Sequence, residues 1–253
     1  MNTMSLVLLI IFQFNFAFDR KIEFPKASPV SESQPKQMSF PSVSTYTILK
    51  SFDGGFTWQQ IGDGLPADLK EEGFFVNEQG FYLQAGKVVF HNKSNSTGAQ
   101  WEKVPVEVRE SKIVKSNGVF MATSQKGIIR SSDQGKTWEV VLNEGGVGIA
   151  VEPIKGGFAA INYNTESKTR RVRITYDGGR NWQAIDAGLP PSLTISSIVQ
   201  VGEYFYCGHP EGIFRSSDAG KSWVLILTSI EDKVFNLAVS GKVMYAIPRA
   251  GGC

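Results

Sequence analysis

A nine-residue segment occurs almost unchanged twice in this chain, as RSSDQGKTW at 130–138 and RSSDAGKSW at 215–223. The underlying pattern is Ser/Thr-x-Asp-x-Gly-x-Thr-Trp, and it recurs in register as SFDGGFTW, SNSTGAQW, SSDQGKTW, TYDGGRNW and SSDAGKSW. All five tryptophans of the protein close a copy, and they are Trp58, Trp101, Trp138, Trp182 and Trp223. Such a period indicates one structural unit repeated along the chain.

The repeat unit is about forty residues long. The Asp position is filled by Asp53, Ser96, Asp133, Asp177 and Asp218, with steps of 43, 37, 44 and 41 residues (53 to 96, 96 to 133, 133 to 177, 177 to 218). Each unit contains four short apolar segments separated by turn residues, which predicts four strands per repeat. Four-stranded units arranged around an axis are the blades of a β-propeller, so the sequence predicts an all-β propeller.

The two ends of the repeat region complement each other. The segment from Tyr46 enters at the third strand of a unit, and the segment after Trp223 ends with two strands that lack partners. Joining them completes one blade and removes two exposed sheet edges. We therefore predict five blades with closure by two C-terminal and two N-terminal strands. The alternative is a fragment of a six- or seven-bladed ring.

The repeated motif resembles the Asp-box, or bacterial neuraminidase repeat, over essentially all of 46–253. The resemblance places each copy in the hairpin between the third and fourth strands of a blade, as a structural staple. The Asp side chain accepts hydrogen bonds from the turn, and the Trp ring packs against a sheet. Ser96 replaces the Asp in the second copy, so we expect that turn to be the loosest.

The second copy also contains two overlapping glycosylation signatures. They are Asn92 with Ser94 and Asn95 with Thr97. Either can carry a sugar only where a secretory pathway attaches one, and a polar turn also produces such signatures by chance.

The region before the repeats has two parts. Residues 1–18 contain a short apolar run followed by charged residues, which favours a signal peptide over an uncleaved anchor. Residues 19–45 are rich in Ser, Pro and Lys and are typical of a linker. The expected location is secreted or periplasmic, with the propeller at 46–253 and no membrane span after signal cleavage.

The composition excludes some functions. A net charge of +2 is too small to indicate a nucleic-acid partner. Two histidines and two cysteines offer no metal site, and no cofactor motif is present. Cys207 and Cys253 could form one disulfide or remain two thiols, and we expect a monomer.

The resemblance implies that ligands bind on the face opposite the Asp-boxes. The loops there carry the predicted ligand-contacting residues, which are Gln125, Lys126, Tyr163, Glu166, Asp186, His209, Glu211 and Arg249, with Asp63 and Glu71 nearby. None of these is predicted to be catalytic.

Sialidases, which share this repeat, need three arginines, a Tyr–Glu nucleophile pair and an acidic residue. The predicted inner strands FFVN, KIVKS, GIAVE, SSIVQV and NLAVS contain no arginine. We therefore expect a non-catalytic platform for a protein or glycan ligand, similar to photosystem II assembly factors, which hold a partner. The alternative is a sialidase-like or other glycoside hydrolase using Glu166, Glu211 or Asp186.

Three further features favour structural roles. Basic residues stand three positions before the Asp position in four copies, at Lys50, Lys93, Arg130 and Arg215, which is typical of an outer strand. The run KTRRVR at 168–173 is expected to be a solvated strand, or a docking site for an acidic partner. Cys207 and His209 lack a third group that would make them a nucleophile and base.

Overall fold

The computed structural model describes residues 46–69, 73–104 and 113–249. The expected signal peptide and linker, and the residues Glu71 and Cys253, lie outside the described residues.

The described chain is all β, with twenty strands. In chain order they are β1 (Leu49–Ser51), β2 (Gln59–Gln60), β3 (Gly73–Asn77), β4 (Gly80–Ala85), β5 (Val88–Lys93), β6 (Glu102–Val104), β7 (Val114–Ser116), β8 (Val119–Ser124), β9 (Gly127–Ser131), β10 (Glu139–Leu142), β11 (Gly145–Ile154), β12 (Gly157–Asn164), β13 (Thr169–Thr175), β14 (Gln183–Ala184), β15 (Ser197–Val201), β16 (Tyr204–His209), β17 (Gly212–Ser216), β18 (Val224–Thr228), β19 (Val234–Ser240) and β20 (Val243–Arg249).

These strands form five antiparallel sheets of four strands, which are the blades of a five-bladed propeller. Blade I is β3 to β6, blade II is β7 to β10, blade III is β11 to β14, and blade IV is β15 to β18. Blade V has the order β19-β20-β1-β2, so it combines two late strands with two early ones. The register pairs Leu49 with Ala246 and Ser51 with Met244. The predicted closure is confirmed.

Each copy of the repeated motif forms the turn between the third and fourth strands of a blade, which we call the repeat turn. In blade IV, the Ser216 hydroxyl accepts from the Gly220 N–H at 2.8 Å and donates to Asp218 Oδ1 at 2.8 Å. Asp218 also accepts from the N–H and the hydroxyl of Ser222, at 2.9 and 2.6 Å. Equivalent bonds occur in the turns of Asp53, Asp133 and Asp177, where the side-chain amide of Asn181 replaces the second hydroxyl in the Asp177 turn.

The bonded carboxylates are held in the ionised form. The hydroxyl of Thr137, then its N–H, and then the hydroxyl of Ser131 lower the pKa of Asp133 to about 2. Gly220 has φ +84°, and a Cβ there would lie 2.3 Å from the Cβ of Ile185, so this position needs glycine for both conformation and space.

The core lies between adjacent blades. Four apolar clusters join blade II to III, III to IV, IV to V, and V to I. The indoles take part in this packing, since Trp223 of blade IV donates to the carbonyl of Ile185 next to blade III at 2.7 Å. Trp101 of blade I makes the equivalent bond to Ile61, after β2 of blade V, at 2.7 Å.

The repeat turn of blade I, which carries Ser96 instead of Asp, receives a side chain from blade V. Lys50 has no exposed surface, and its ammonium donates to Lys93 O, Ser96 O and Asn92 Oδ1 at 2.7, 2.9 and 3.0 Å. Burial lowers the pKa of Lys50 to about 8. The sequence predicted a loose turn here, but this turn is tied to the neighbouring blade by a buried cation.

The two glycosylation signatures differ in accessibility. Asn92 is fully buried, and its amide donates to Gly98 O and Gln100 O at 3.2 and 3.0 Å. Asn95 is exposed in the repeat turn. Only the Asn95 signature is therefore accessible in the folded chain.

Replacing Lys50 with Met is expected to lower the free energy of unfolding by about 2–4 kcal/mol, because three buried acceptors lose their donor while the volume is kept. Urea unfolding monitored by tryptophan fluorescence measures the change. The matched control is Lys93→Met, whose side chain is 59% exposed and 3.4 Å from Glu102, with an expected cost below about 1 kcal/mol. Equal losses in both variants would contradict the role given to Lys50.

Candidate functional site

The ends of the strands define two faces of the propeller. The repeat turns lie at one end of the third strands, together with the turns between first and second strands. The other face, here called the loop face, carries the turns between second and third strands and the segments that link one blade to the next. Since neighbouring strands are antiparallel, these two groups of connections stay on opposite sides.

The predicted ligand-contacting residues are spread around the loop face. Gln125 and Lys126 form the turn between β8 and β9. Tyr163 lies near the end of β12, and Glu166 lies in the following turn. Arg249 ends β20, and its guanidinium stacks on the ring of Phe74 at 5.0 Å. Blades II, III and V therefore contribute separate residues, which are not brought to one point.

A pocket of about 310 Å³ opens on the loop face between blades III and IV. We call it the loop-face pocket. Its lining is mixed polar and apolar, formed by Ser167, Thr169, Arg170, Arg171, Asp186, Leu189, Pro190, Pro191 and Ile195. Glu166 precedes one lining residue, and His209 donates from Nε2 to the carbonyl of Pro190 at 3.0 Å. Of the predicted residues, Asp186 therefore lines the pocket, and His209, which accepts from the Glu211 N–H, contacts the lining residue Pro190.

Asp186 belongs to a network of ion pairs at the base of the pocket. Its carboxylate accepts from Arg171 Nε at 2.6 Å, from Arg173 Nη1 at 3.2 Å and from the Val172 N–H at 3.1 Å. Arg173 also contacts Glu144 at 2.6 Å. Burial raises the pKa of Asp186, but the hydrogen bond from Arg171 and the other donors outweigh it and hold the pKa below its usual value. Asp186 is thus an ionised structural group.

This network corrects the expectation for the run at 168–173. The side chain of Arg173 is only 12% exposed and that of Arg171 is 35% exposed. Both guanidiniums are paired with carboxylates of their own blade. The run is therefore not simply a solvated strand, and the charges of Arg171 and Arg173 are paired within the protein.

His209 and Cys207 are held in inactive states. Burial lowers the pKa of His209, so the ring is neutral near pH 7. Its Nε2–H donates to Pro190, and its Nδ1 accepts from the Glu211 N–H at 3.2 Å. Burial raises the pKa of the Cys207 thiol, which is fully enclosed between blades III and IV. The pair acts in packing and loop positioning.

A second cavity, of about 610 Å³, lies along the axis of the propeller. It is lined by residues of all five first strands, β3, β7, β11, β15 and β19, and we call it the central channel. The lining combines apolar side chains, such as Phe74, Val151, Val199 and Leu237, with polar groups. Its volume is in the range of small-molecule sites.

Glu152, on β11, is the one residue with an ionisable side chain among the described residues that line the central channel. Within the described part of the chain, its carboxylate has no hydrogen-bond or ion-pair partner. Burial raises the pKa of Glu152 to about 7. The sequence patterns did not predict a role for this residue, although a single acidic residue in the apolar strand GIAVE is a usable signal.

The arginines do not surround the channel. The five first strands, as described, contain no arginine. Arg130, Arg171, Arg173 and Arg215 lie on third strands, away from the axis.

Comparisons with known proteins find similar solved structures but no matching protein family. No family model matches, and no curated protein matches. A GH74 xyloglucanase from Xanthomonas campestris is 17% identical, with 73% of this chain and 35% of that chain covered and a TM-score of 0.37. TolB from Acinetobacter baumannii is 10% identical, with 82% and 64% covered and a TM-score of 0.41.

A Hadza microbial sialidase is 16% identical, with 82% of this chain and 61% of that chain covered and a TM-score of 0.31. The chain thus spans less than two thirds of the length of these three structures. At these scores, none of them identifies a substrate or partner. Separately, a search of the described residues finds no helix with the length and hydropathy needed to cross a membrane.

Replacing Glu152 with Gln is expected to raise the free energy of unfolding at pH 8 by up to about 3 kcal/mol and to change little at pH 4.5. The pKa is raised in the folded state from 4.5 to about 7. Protonation therefore favours the fold fully below pH 4.5, and that contribution is lost as the pH rises through 7.

Urea unfolding at pH 4.5, 6, 7 and 8 tests this dependence. Glu203→Gln is the matched control, because that carboxylate is 77% exposed and pairs with Lys155 at 2.9 Å. A pH profile that is the same in wild type and Glu152→Gln would contradict the partly buried, unpaired state of Glu152.

Proposed function

We propose that this chain is a non-catalytic five-bladed propeller that binds a protein or glycan ligand on its loop face. The observation that carries the proposal is the state of the charged groups around the loop-face pocket. Asp186 and its arginine partners Arg171 and Arg173 are committed to one another. A catalytic carboxylate must instead be free to exchange a proton or attack the substrate.

We also propose that the repeat turns are Asp-boxes with a structural role. Each intact copy ties a Ser or Thr, an Asp and a Gly in one hydrogen-bonded turn, as in Ser131, Asp133 and Gly135. The carboxylate is saturated by donors of its own turn, which leaves it no ligand role. The ligand surface is therefore expected on the opposite face.

The loop-face pocket has the character of a binding surface. The exposed leucine Leu193, at 53% exposure, lies in sequence between the lining residues Pro191 and Ile195, and Glu166 precedes the lining residue Ser167. Apolar and polar groups side by side are the usual composition of a recognition site. We place the protein outside the cell or in the periplasm, on the basis of the signal peptide expected at 1–18, and we expect it to act as a monomer.

The binding proposal predicts that Leu193→Asp reduces ligand capture at least fivefold, because a charge is introduced at the rim of the loop-face pocket. Labelled protein is applied to a glycan array, and in parallel it is used as bait on the secreted or envelope fraction of the source organism. The matched control is Val224→Asp on outer strand β18, where the side chain is 60% exposed. Loss of capture in the control, with retention in Leu193→Asp, would place the ligand elsewhere.

The competing activity, a sialidase-like or other glycoside hydrolase, is tested with fluorogenic sialosides and glycosides. We expect no turnover above background. Turnover that is abolished by Glu166→Gln or Glu211→Gln, in protein that keeps its unfolding midpoint, would overturn the non-catalytic proposal.

A further inference from the structure

The central channel presents one negative charge in an otherwise uncharged cavity. Glu152 lies two residues before the end of β11, near the repeat-turn end of the channel. The residues around it are mostly apolar, and the other polar side chains that line the channel are uncharged amides and hydroxyls. A carboxylate in such surroundings is costly when ionised unless a positive charge compensates it.

The protein itself does not supply that charge among its described residues. The nearest cation along the chain, Lys155, pairs with Glu203 on exposed neighbouring turns at 2.9 Å. Gln200 of β15 also lines the channel, and its Oε1 accepts from the Lys155 N–H at 2.7 Å. The side chain of Asn236, on β19, makes no hydrogen bond to a described residue. The channel thus holds unsatisfied acceptors with room beside them.

We propose that the central channel binds a small organic cation, an alkylammonium or alkylguanidinium group, with Glu152 as its counter-ion. The charged head contacts the Glu152 carboxylate near the repeat-turn end of the channel. The aliphatic stem packs on the apolar lining that includes Val151, Val199 and Leu237. This site is separate from the loop-face pocket and does not depend on the proposed function.

A single carboxylate suits a single positive charge. Ca²⁺ takes six to eight oxygen ligands, and Glu152 supplies the only carboxylate among the described residues of the channel lining. An organic cation needs one charge partner and an apolar wall for its stem, and the channel offers both. The same head group occurs in free amines and on the lysine side chains of polypeptides, so the experiment must separate these sources.

Binding to the full chain is measured by isothermal titration calorimetry at pH 8 with n-butylamine, n-butylguanidine and the capped peptide Gly-Gly-Lys-Gly-Gly. We expect saturable binding of at least one cation, and an affinity at least tenfold lower for Glu152→Gln. Glu203→Gln is the matched control and should bind as wild type does. Binding of n-butylamine indicates a free amine, whereas binding of the peptide alone indicates a lysine side chain.

A second readout is the release of a proton from Glu152 when the cation binds. Since the pKa of Glu152 is about 7 in the free protein, binding a cation at pH 7 should release about half a proton. The Lys155–Glu203 pair is the charged group nearest along the chain, and Glu203→Gln controls for it. Calorimetry in two buffers of different ionisation enthalpy detects the release.

Three outcomes would overturn the proposal. They are equal cation affinity in wild type and Glu152→Gln, equal affinity for n-butanol and n-butylamine, and saturable binding of CaCl₂ without binding of any organic cation. The Glu152→Gln variant is expected to fold, since it removes a buried charge, and a thermal unfolding curve checks this before titration.

Discussion

Four of the five blades depend on the indole that closes their repeat turn, because that ring packs in the apolar cluster shared with the preceding blade. Trp223 packs in the cluster shared by blades III and IV, and Trp58 packs in the cluster shared by blades IV and V. The hydrogen-bonded turn fixes the backbone position of the tryptophan, and the apolar cluster holds its indole. Trp138 differs, since its N–H bonds the carbonyl of Gly135 in its own turn at 3.1 Å. The repeated motif is therefore a device for joining sheets as well as for turning the chain.

The parts of the fold that could be predicted are those encoded by neighbours in sequence. The turn around Asp218 is specified by nine consecutive residues. The closure of the propeller follows from the number of strands predicted at each end of the repeat region. Lys50 was expected on an outer strand like its counterparts, yet it is buried in the turn of another blade. No local pattern shows that Lys50 bonds the turn in which Ser96 stands at the Asp position, because the two residues meet only when blades V and I pack together.

The same limit applies to the candidate sites. Loop positions could be assigned from the repeat, so Glu166, Asp186, His209 and Glu211 were predicted on the loop face, and their role in binding stays a prediction. Their chemistry could not be predicted from sequence, since it depends on the ion pairs that Asp186 forms with Arg171 and Arg173 of the adjoining strand. Glu152 was not predicted, because what sets it apart is that no described residue supplies a charge partner for its carboxylate. Charge compensation is a property of the assembled ring and not of any single strand.

The sharing of blade V between early and late strands has a consequence for how the chain can reach its structure. While the chain is being synthesised, β1 and β2 must stay without their sheet partners until β19 and β20 have emerged. Pairings between such distant segments form slowly, because the long intervening chain must first be closed into a loop. During that interval the edge of β1 can pair with another strand. Aggregation of nascent chains is therefore most favoured before blade V is complete.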